Sequence, residues 1–343
     1  MEILFITSNL NLVGGKERYD KHIISVLKEY VSLNVIELQG VCLFWKALFV
    51  LRAFLAVLIK KPDIVCCALI NFSPICLVLK KLFGVRYVVF THGADVWNIK
   101  NNLHKKALLQ STKTITVSNF TKDKLIEQLP SIKDKIFLIP NTINEKKFVI
   151  NKKHETREHK VILTVARLYR REMYKGYDKV IQALPLIKKE IQKVRYVIVG
   201  KGSDMNRLKQ LAETHHCSDN LIMPGYVSDE ELVDYYNGAD VFIMPSKGEG
   251  FGIVFLEALS CGVPVIAGNC DGSREAVLNG KLGILVNPDN VEEIAVAIIK
   301  VLKKQVPPEI LDGNLLRKEI LEAYGFDKFK KRVIELVHEL ETA

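Results

Sequence analysis

Pro245-Ser246-Lys247-Gly248-Glu249-Gly250-Phe251-Gly252-Ile253-Val254-Phe255-Leu256-Glu257-Ala258 decides the reading of this chain. An apolar run at 241–244 reads as a buried strand, glycines at 248, 250 and 252 as a loop, and the apolar stretch that follows as a helix beginning near Gly250. Glycines remove side chains that would block a ligand, and the first N–H groups of a helix, with the dipole behind them, favour an anion. Glu249 stands before the helix and Glu257 roughly two turns along it, both placed to accept hydrogen bonds from hydroxyl groups. A phosphate flanked by polyhydroxylated groups, as in a nucleotide sugar, suits this arrangement. An ordinary strand-to-helix turn with Glu257 solvated has the same local pattern.

The segment resembles the Glu-x7-Glu signature of glycosyltransferase family 4, here Glu249 to Glu257. It is followed by the family's Ala-x-x-x-Gly-x-Pro-Val stretch as Ala258-Leu259-Ser260-Cys261-Gly262-Val263-Pro264-Val265. The resemblance extends over nearly the whole chain. It implies the α/β GT-B architecture, two Rossmann-like doubly wound parallel-sheet domains facing across a cleft. The expected division is an acceptor-binding domain at 1–150, a nucleotide-sugar-binding domain at 151–325, and a helix at 326–343 packing back on the first.

Composition agrees with two domains. The chain has 343 residues, 48% hydrophobic and 26% charged. Glu2 leads straight into an apolar strand with no basic leader, and the seven cysteines form no CxxC; reduced, buried thiols in a cytoplasmic protein are expected. Residues 1–150 hold 21 Lys+Arg against 11 Asp+Glu, while the remainder is balanced at 28 against 28. The whole +10 excess therefore lies in the first half, which suggests an anionic membrane surface or a phosphate-bearing acceptor as its partner. No nucleic-acid-binding motif is present.

From the start, residues 3–7 read as a strand and Gly14-Gly15 as a second glycine loop before a helix over 16–31, like the family's N-terminal loop. Of residues 41–59, 17 of 19 are apolar, but Lys46 and Arg52 within them would cost roughly 3 kcal/mol each at a bilayer centre. A span is rejected. Two readings remain: a crossover helix on a sheet, or a helix whose Lys46, Arg52 and Lys60 share a face with Trp45 and Phe49 at a membrane surface. Ser73-Pro74 and Ser118 read as helix starts with capping serines. Strands are expected over 63–69, 86–91, 113–117 and 135–139.

His92 and Asp95 follow the strand over 86–91, where open parallel sheets place ligands. There His92 can hydrogen-bond the reacting sugar or acceptor or relay a proton, and Asp95 can hold an acceptor hydroxyl, although a lone histidine after a strand is more often structural. By resemblance this His-Gly segment lines the catalytic cleft. Asn141-Thr142 replaces the family's usual Asn-Gly, and residues 144–160, rich in Lys, Glu, His and Asn, read as the interdomain linker.

In the second half, Arg167 and Lys175 resemble the family's basic pair on the donor diphosphate; a guanidinium and an ammonium neutralise phosphates without metal. Gly225, Tyr226 and Val227 correspond to the loop passing the nucleotide base. With Gly15, Glu249, Gly250, Phe251, Gly252, Ile253 and Glu257 they form the expected donor site. His92, Glu249, Arg167 and Lys175 are the expected catalytic groups. His215-His216-Cys217 lacks zinc-ligand spacing and no Asp-x-Asp occurs, so neither metal nor cofactor is expected.

The resemblance implies retaining transfer of a hexose or N-acetylhexosamine from a nucleotide sugar, UDP-linked by preference, to a hydroxyl of a glycan or lipid-linked acceptor. Domain closure would expel water. The expected location is cytoplasmic, peripheral on a membrane face. A catalytically inactive sugar-nucleotide-binding partner, a nucleotide-sugar epimerase and a phosphorylase are the alternatives with the same fold.

Overall fold

The computed structural model describes residues 1–12, 14–151 and 158–342. It divides into two compact units, residues 1–142 with 327–343, and residues 143–326. The first carries strands β1 (Glu2–Ser8), β2 (Ser32–Leu38), β3 (Ile64–Cys67), β4 (Arg86–Thr91), β5 (Lys113–Thr116) and β6 (Ile136–Leu138). The second carries β7 (Lys160–Val165), β8 (Val194–Val199), β9 (Leu221–Gly225), β10 (Val241–Met244), β11 (Val265–Gly268) and β12 (Gly283–Val286).

Each sheet is six-stranded and parallel, ordered β2-β1-β3-β4-β5-β6 in the first unit and β12-β11-β10-β7-β8-β9 in the second. Helices cover such a sheet on both faces, which explains why β3, β10 and β11 are apolar runs buried throughout rather than alternating. Each sheet reverses its order once. The reversal lies between β1 and β3 in the first unit and between β7 and β10 in the second, and crevices open there at the carboxyl ends of the strands. Both units are thus doubly wound, as the alternating pattern of the sequence requires.

Several local expectations are corrected. The division falls at 142/143 rather than at 150. Residues 143–150 belong to the second unit because Phe148 packs its ring on Tyr236 at 5.8 Å and Arg317 donates to the carbonyl oxygens of Glu145 (2.8 Å), Phe148 and Ser260 (2.6 Å). Of the linker read over 144–160, residues 152–157 lie outside the described residues. β2 was not expected, because only Ile36 on it is buried and its pattern is weak. Ser73 is the first residue of the helix Ser73–Phe83 rather than its cap, and its buried hydroxyl makes no hydrogen bond. Ser118 does cap, accepting from the Thr121 amide at 3.1 Å. All seven cysteines are free thiols, but Cys42 and Cys270 are exposed rather than buried.

The last helix, Phe326–Thr342, closes the first unit. Phe329 meets the Tyr19 ring edge-on at 5.8 Å, and Lys113 pairs with Glu339 at 2.6 Å.

Two glycines of the second unit separate backbone strain from clash. Gly200 has φ +139°, and a Cβ there would lie 1.8 Å from the Ala166 carbonyl oxygen. Gly225 also has positive φ, +86°, but open space around it. Gly225→Ala is expected to cost about 1 kcal/mol of stability and Gly200→Ala roughly 3 kcal/mol or more, read by urea unfolding. Equal costs would show that the 200–202 turn is not pressed against the end of β7.

Candidate donor and acceptor sites

In the second unit the loops after β7 and β10 meet at the sheet's reversal point. The Lys247 amide donates to the Tyr174 carbonyl at 2.9 Å. Gly176, at φ +75°, abuts Pro245, whose carbonyl oxygen a Cβ would approach to 2.3 Å; a Cβ on Gly248 would strike the Tyr174 ring at 2.4 Å. Glycine at these two positions lets two loops, far apart in sequence, share one crevice.

Lys175 and Glu249 come together there. The Lys175 ammonium lies 2.7 Å from Glu249 Oε1 and 3.9 Å from Glu172 Oε2, and Arg167 reaches Glu172 Oε1 at 3.0 Å. Two cations and two carboxylates form one chain at the mouth of the sheet, with Lys175 and Glu172 the more buried members. Glu172 Oε2 has no hydrogen bond. Arg171 turns away, its guanidinium over the Tyr169 ring.

The loop carrying Glu249 is held by its backbone. The Glu249 amide donates to Asp271 Oδ2 at 2.7 Å, and Asp271 Oδ1 accepts from the Ser273 amide at 3.0 Å. The Gly272 amide donates to the Glu249 carbonyl at 3.0 Å. Burial pushes the Asp271 carboxyl up to about 6, against the pull of these donors. The Glu249 side chain is thereby left to face the crevice.

The helix begins at Ile253, three residues later than expected, after Gly252 at φ +89°. Phe251 is buried against Tyr324 with ring centroids 5.0 Å apart, which pins the turn. Gly250, Phe251, Gly252 and Ile253 therefore supply main chain at a helix start, as the donor reading requires. Glu257 stands little over one turn in and is buried, accepting from the Tyr236 hydroxyl at 2.7 Å. Its alternative as a solvated helix residue is overturned.

Gly225 ends β9 and Tyr226 and Val227 follow it, two strands from β7 and so roughly 10 Å away. The Gly200 amide donates to the Gly225 carbonyl at 2.8 Å, and Lys201 Nζ lies 5.2 Å from the centroid of the exposed Tyr226 ring. Loop ends from β9 to β11 thus line one edge of the sheet, with an aromatic face at one end and the charged cluster in the middle.

In the first unit, Gly15 opens the helix Gly15–Tyr30 after β1. His92, after β4, places Nε2 2.9 Å from the Ala68 carbonyl beyond β3 and its ring edge-on to Tyr19 at 5.4 Å. Asp95 accepts from the His92 main-chain amide at 3.0 Å, so it shapes the loop that presents the imidazole. Burial holds the His92 pKa below the usual range, outweighing the opposite pull of Asp95. His92 is neutral near pH 7.

Four residues bearing on the site carry no motif that sequence reasoning caught: Glu172, Asp271, Tyr236 and Asp20. Asp20 is buried on the helix Gly15–Tyr30, where Oδ2 accepts from Thr7 Oγ1 of β1 at 2.6 Å and Oδ1 makes no hydrogen bond. Among the described residues no three His, Cys, Asp or Glu side chains are grouped to hold a metal ion.

Two doubly wound units with these loops at their strand ends define a GT-B glycosyltransferase fold. A family model described as "Glycosyl transferases group 1" matches residues 145–315, and one described as "Glycosyltransferase Family 4" matches residues 14–147. The chain belongs to glycosyltransferase family 4. It is 30% identical over 235 residues to a GDP-mannose-dependent alpha-(1-6)-phosphatidylinositol monomannoside mannosyltransferase of Mycobacterium tuberculosis, with 63% of this chain and 60% of that protein covered. An uncharacterized glycosyltransferase of Methanocaldococcus jannaschii is 31% identical over 238 residues, covering 66% and 60%. The chain thus spans about three fifths of the length of both relatives. Among solved structures, a sucrose-phosphate synthase of Thermosynechococcus elongatus superposes with TM-score 0.86 at 18% identity, covering 100% of both chains. Anabaena HepE in complex with UDP-glucose gives 0.80 at 16%, covering 99% and 100%. At these identities the likeness is one of fold.

Burial raises the Asp20 carboxyl from 3.8 to about 7. The folded unit then holds a proton that the unfolded chain releases near pH 4. The corresponding stability is complete below that pH and is lost as pH rises through about 7, by at most about 4 kcal/mol. Asp20→Asn is expected to flatten this dependence and to be the more stable form at alkaline pH. A pH-stability curve parallel to the parent's would contradict the assignment.

Proposed function

We propose that this chain transfers a hexose or N-acetylhexosamine from a nucleotide sugar to an acceptor hydroxyl, with retention at the anomeric carbon and no metal. The observation that carries the proposal is the Lys175 ammonium, 2.7 Å from Glu249 in the crevice between β7 and β10 and beside the start of the helix Ile253–Ser260.

In the reaction the bond from the anomeric carbon to the diphosphate breaks, and its electron pair leaves with the phosphate. The acceptor oxygen bonds to the same carbon from the same face, and its proton passes to the departing diphosphate. Arg167, Lys175 and the main chain at 251–253 meet the developing negative charge, the term expected to dominate the rate. When the diphosphate arrives, Lys175 exchanges its bond to Glu249 for one to phosphate. The freed Glu249 carboxylate then accepts from sugar hydroxyls. Tyr226 flanks the base, and the acceptor is assigned to the first unit, with neutral His92 as its hydrogen-bonding partner.

A UDP-sugar was the expected donor, whereas the mycobacterial relative is named for GDP-mannose. Both bases belong to the proposal, and thermal-shift measurements with UDP-, GDP- and ADP-sugars separate them. A glycan precursor on a lipid carrier is the proposed acceptor, in keeping with the phosphatidylinositol mannoside named for that relative.

Glu249→Gln is expected to lower transfer of labelled sugar about 100-fold or more while leaving the unfolding midpoint nearly unchanged. The loop survives the substitution because Asp271 holds it through the backbone amide. Full activity in Glu249→Gln contradicts the assigned role, and label that remains on the nucleotide with every acceptor contradicts transfer itself.

A further inference from the structure

We propose that the helix Leu43–Lys60 and the end of the helix Ser73–Phe83 together form a docking surface for an anionic lipid bilayer. The helix Leu43–Lys60 packs only one stripe inward: Phe49, Ala53 and Val57, at intervals of four, are its buried residues. Phe49 is buried with its ring tilted against Phe72, centroids 4.9 Å apart, so it does not join Lys46 and Arg52 on an outward face as expected. The outward face is instead aliphatic. Leu51, Leu55 and Leu58 follow one another at four- and three-residue steps, 44–57% exposed, with Ile59 beside them at 73%.

A surface helix of a protein surrounded by water carries polar residues on that face. The apolar area continues onto the neighbouring helix, where Leu82 and Phe83 are exposed and Phe83 meets Phe54 with ring centroids 6.1 Å apart. A contiguous apolar area of this kind marks an interaction site.

Charge selects the occupant. Between Glu37 and Asp95 the only acidic residue is Asp63, whereas Lys46, Arg52, Lys60, Lys61 and Lys81 are all exposed. A second copy laid on this surface would set these cations against one another. A bilayer with anionic headgroups satisfies both features: the leucines enter the acyl boundary and the long basic side chains reach the phosphates. Among the described residues no helix is long and apolar enough to cross a membrane, so the helix lies along the surface rather than through it. The surface belongs to the first unit alone and does not rest on the chemistry proposed above.

Flotation with vesicles, in the absence of donor and acceptor, tests this. The chain is expected to float with phosphatidylcholine vesicles containing phosphatidylglycerol, to bind pure phosphatidylcholine weakly, and to release as salt is raised. Removing two charges in Lys46→Gln/Arg52→Gln should lower partitioning roughly thirtyfold. Leu58→Gln/Ile59→Gln should lower it at least tenfold, roughly, and Leu51→Gln/Leu55→Gln on the same stripe provides a second apolar variant. These side chains are exposed, and unchanged circular dichroism and nucleotide affinity in the variants would attribute the loss to the surface. Parent protein that stays at the bottom of the gradient would overturn the proposal, as would variants that float like the parent. So would a dimer in sedimentation that Leu58→Gln/Ile59→Gln converts to monomer.

Discussion

The ammonium of Lys175, set between the carboxylates of Glu249 and Glu172, is the contact on which the second unit's crevice is built. Three features of the fold are needed to make it. β7 and β10 must be parallel neighbours although β8 and β9 intervene in sequence. Glycines at 176 and 248 must let their loops touch, and Asp271 must grip the Glu249 amide from the turn after β11. Neutralising one carboxylate leaves the Lys175 ammonium the other, so the cluster survives the loss of a single bond at small cost. The cluster thus holds the two loops in place, and in the proposed function its two cations exchange these carboxylates for the donor diphosphate.

The first unit uses the same device with different chemistry. Its reversal point lies between β1 and β3, and His92 reaches across from β4 to the Ala68 carbonyl. Here burial keeps the imidazole neutral, so the crevice presents a hydrogen-bonding ring rather than a charge. The basic character of this half lies elsewhere, concentrated around the apolar outer faces of the two helices that precede β3 and β4. Position on the fold thus separates the proposed acceptor site from the proposed docking surface.

Much of this was legible in the sequence, and the reasons differ from element to element. Glycine spacing around Glu249 and the alternation of buried runs with helical stretches gave the architecture, because both are local and periodic. The ion pair of Lys175 with Glu249 spans 74 residues and was not anticipated; family resemblance assigned the two residues only to the same donor site. Glu172 and Asp271 were missed because a carboxylate that binds a neighbouring loop has no local signature. The helix after Gly252 begins later than its pattern suggests because Phe251 is drawn into the core against Tyr324, 73 residues on. Helical periodicity placed Phe49 on the same half as the cations, but the sheet took it inward, leaving leucines outside.

Calorimetric titration of UDP and of GDP into the chain and into its Lys175→Met variant measures whether the ammonium at 175 meets phosphate. One saturable site is expected for at least one of the two nucleotides, with an affinity at least about tenfold weaker in the variant, since a charge-assisted bond to phosphate is removed. Equal affinities in parent and variant, or no binding of either nucleotide, would contradict it.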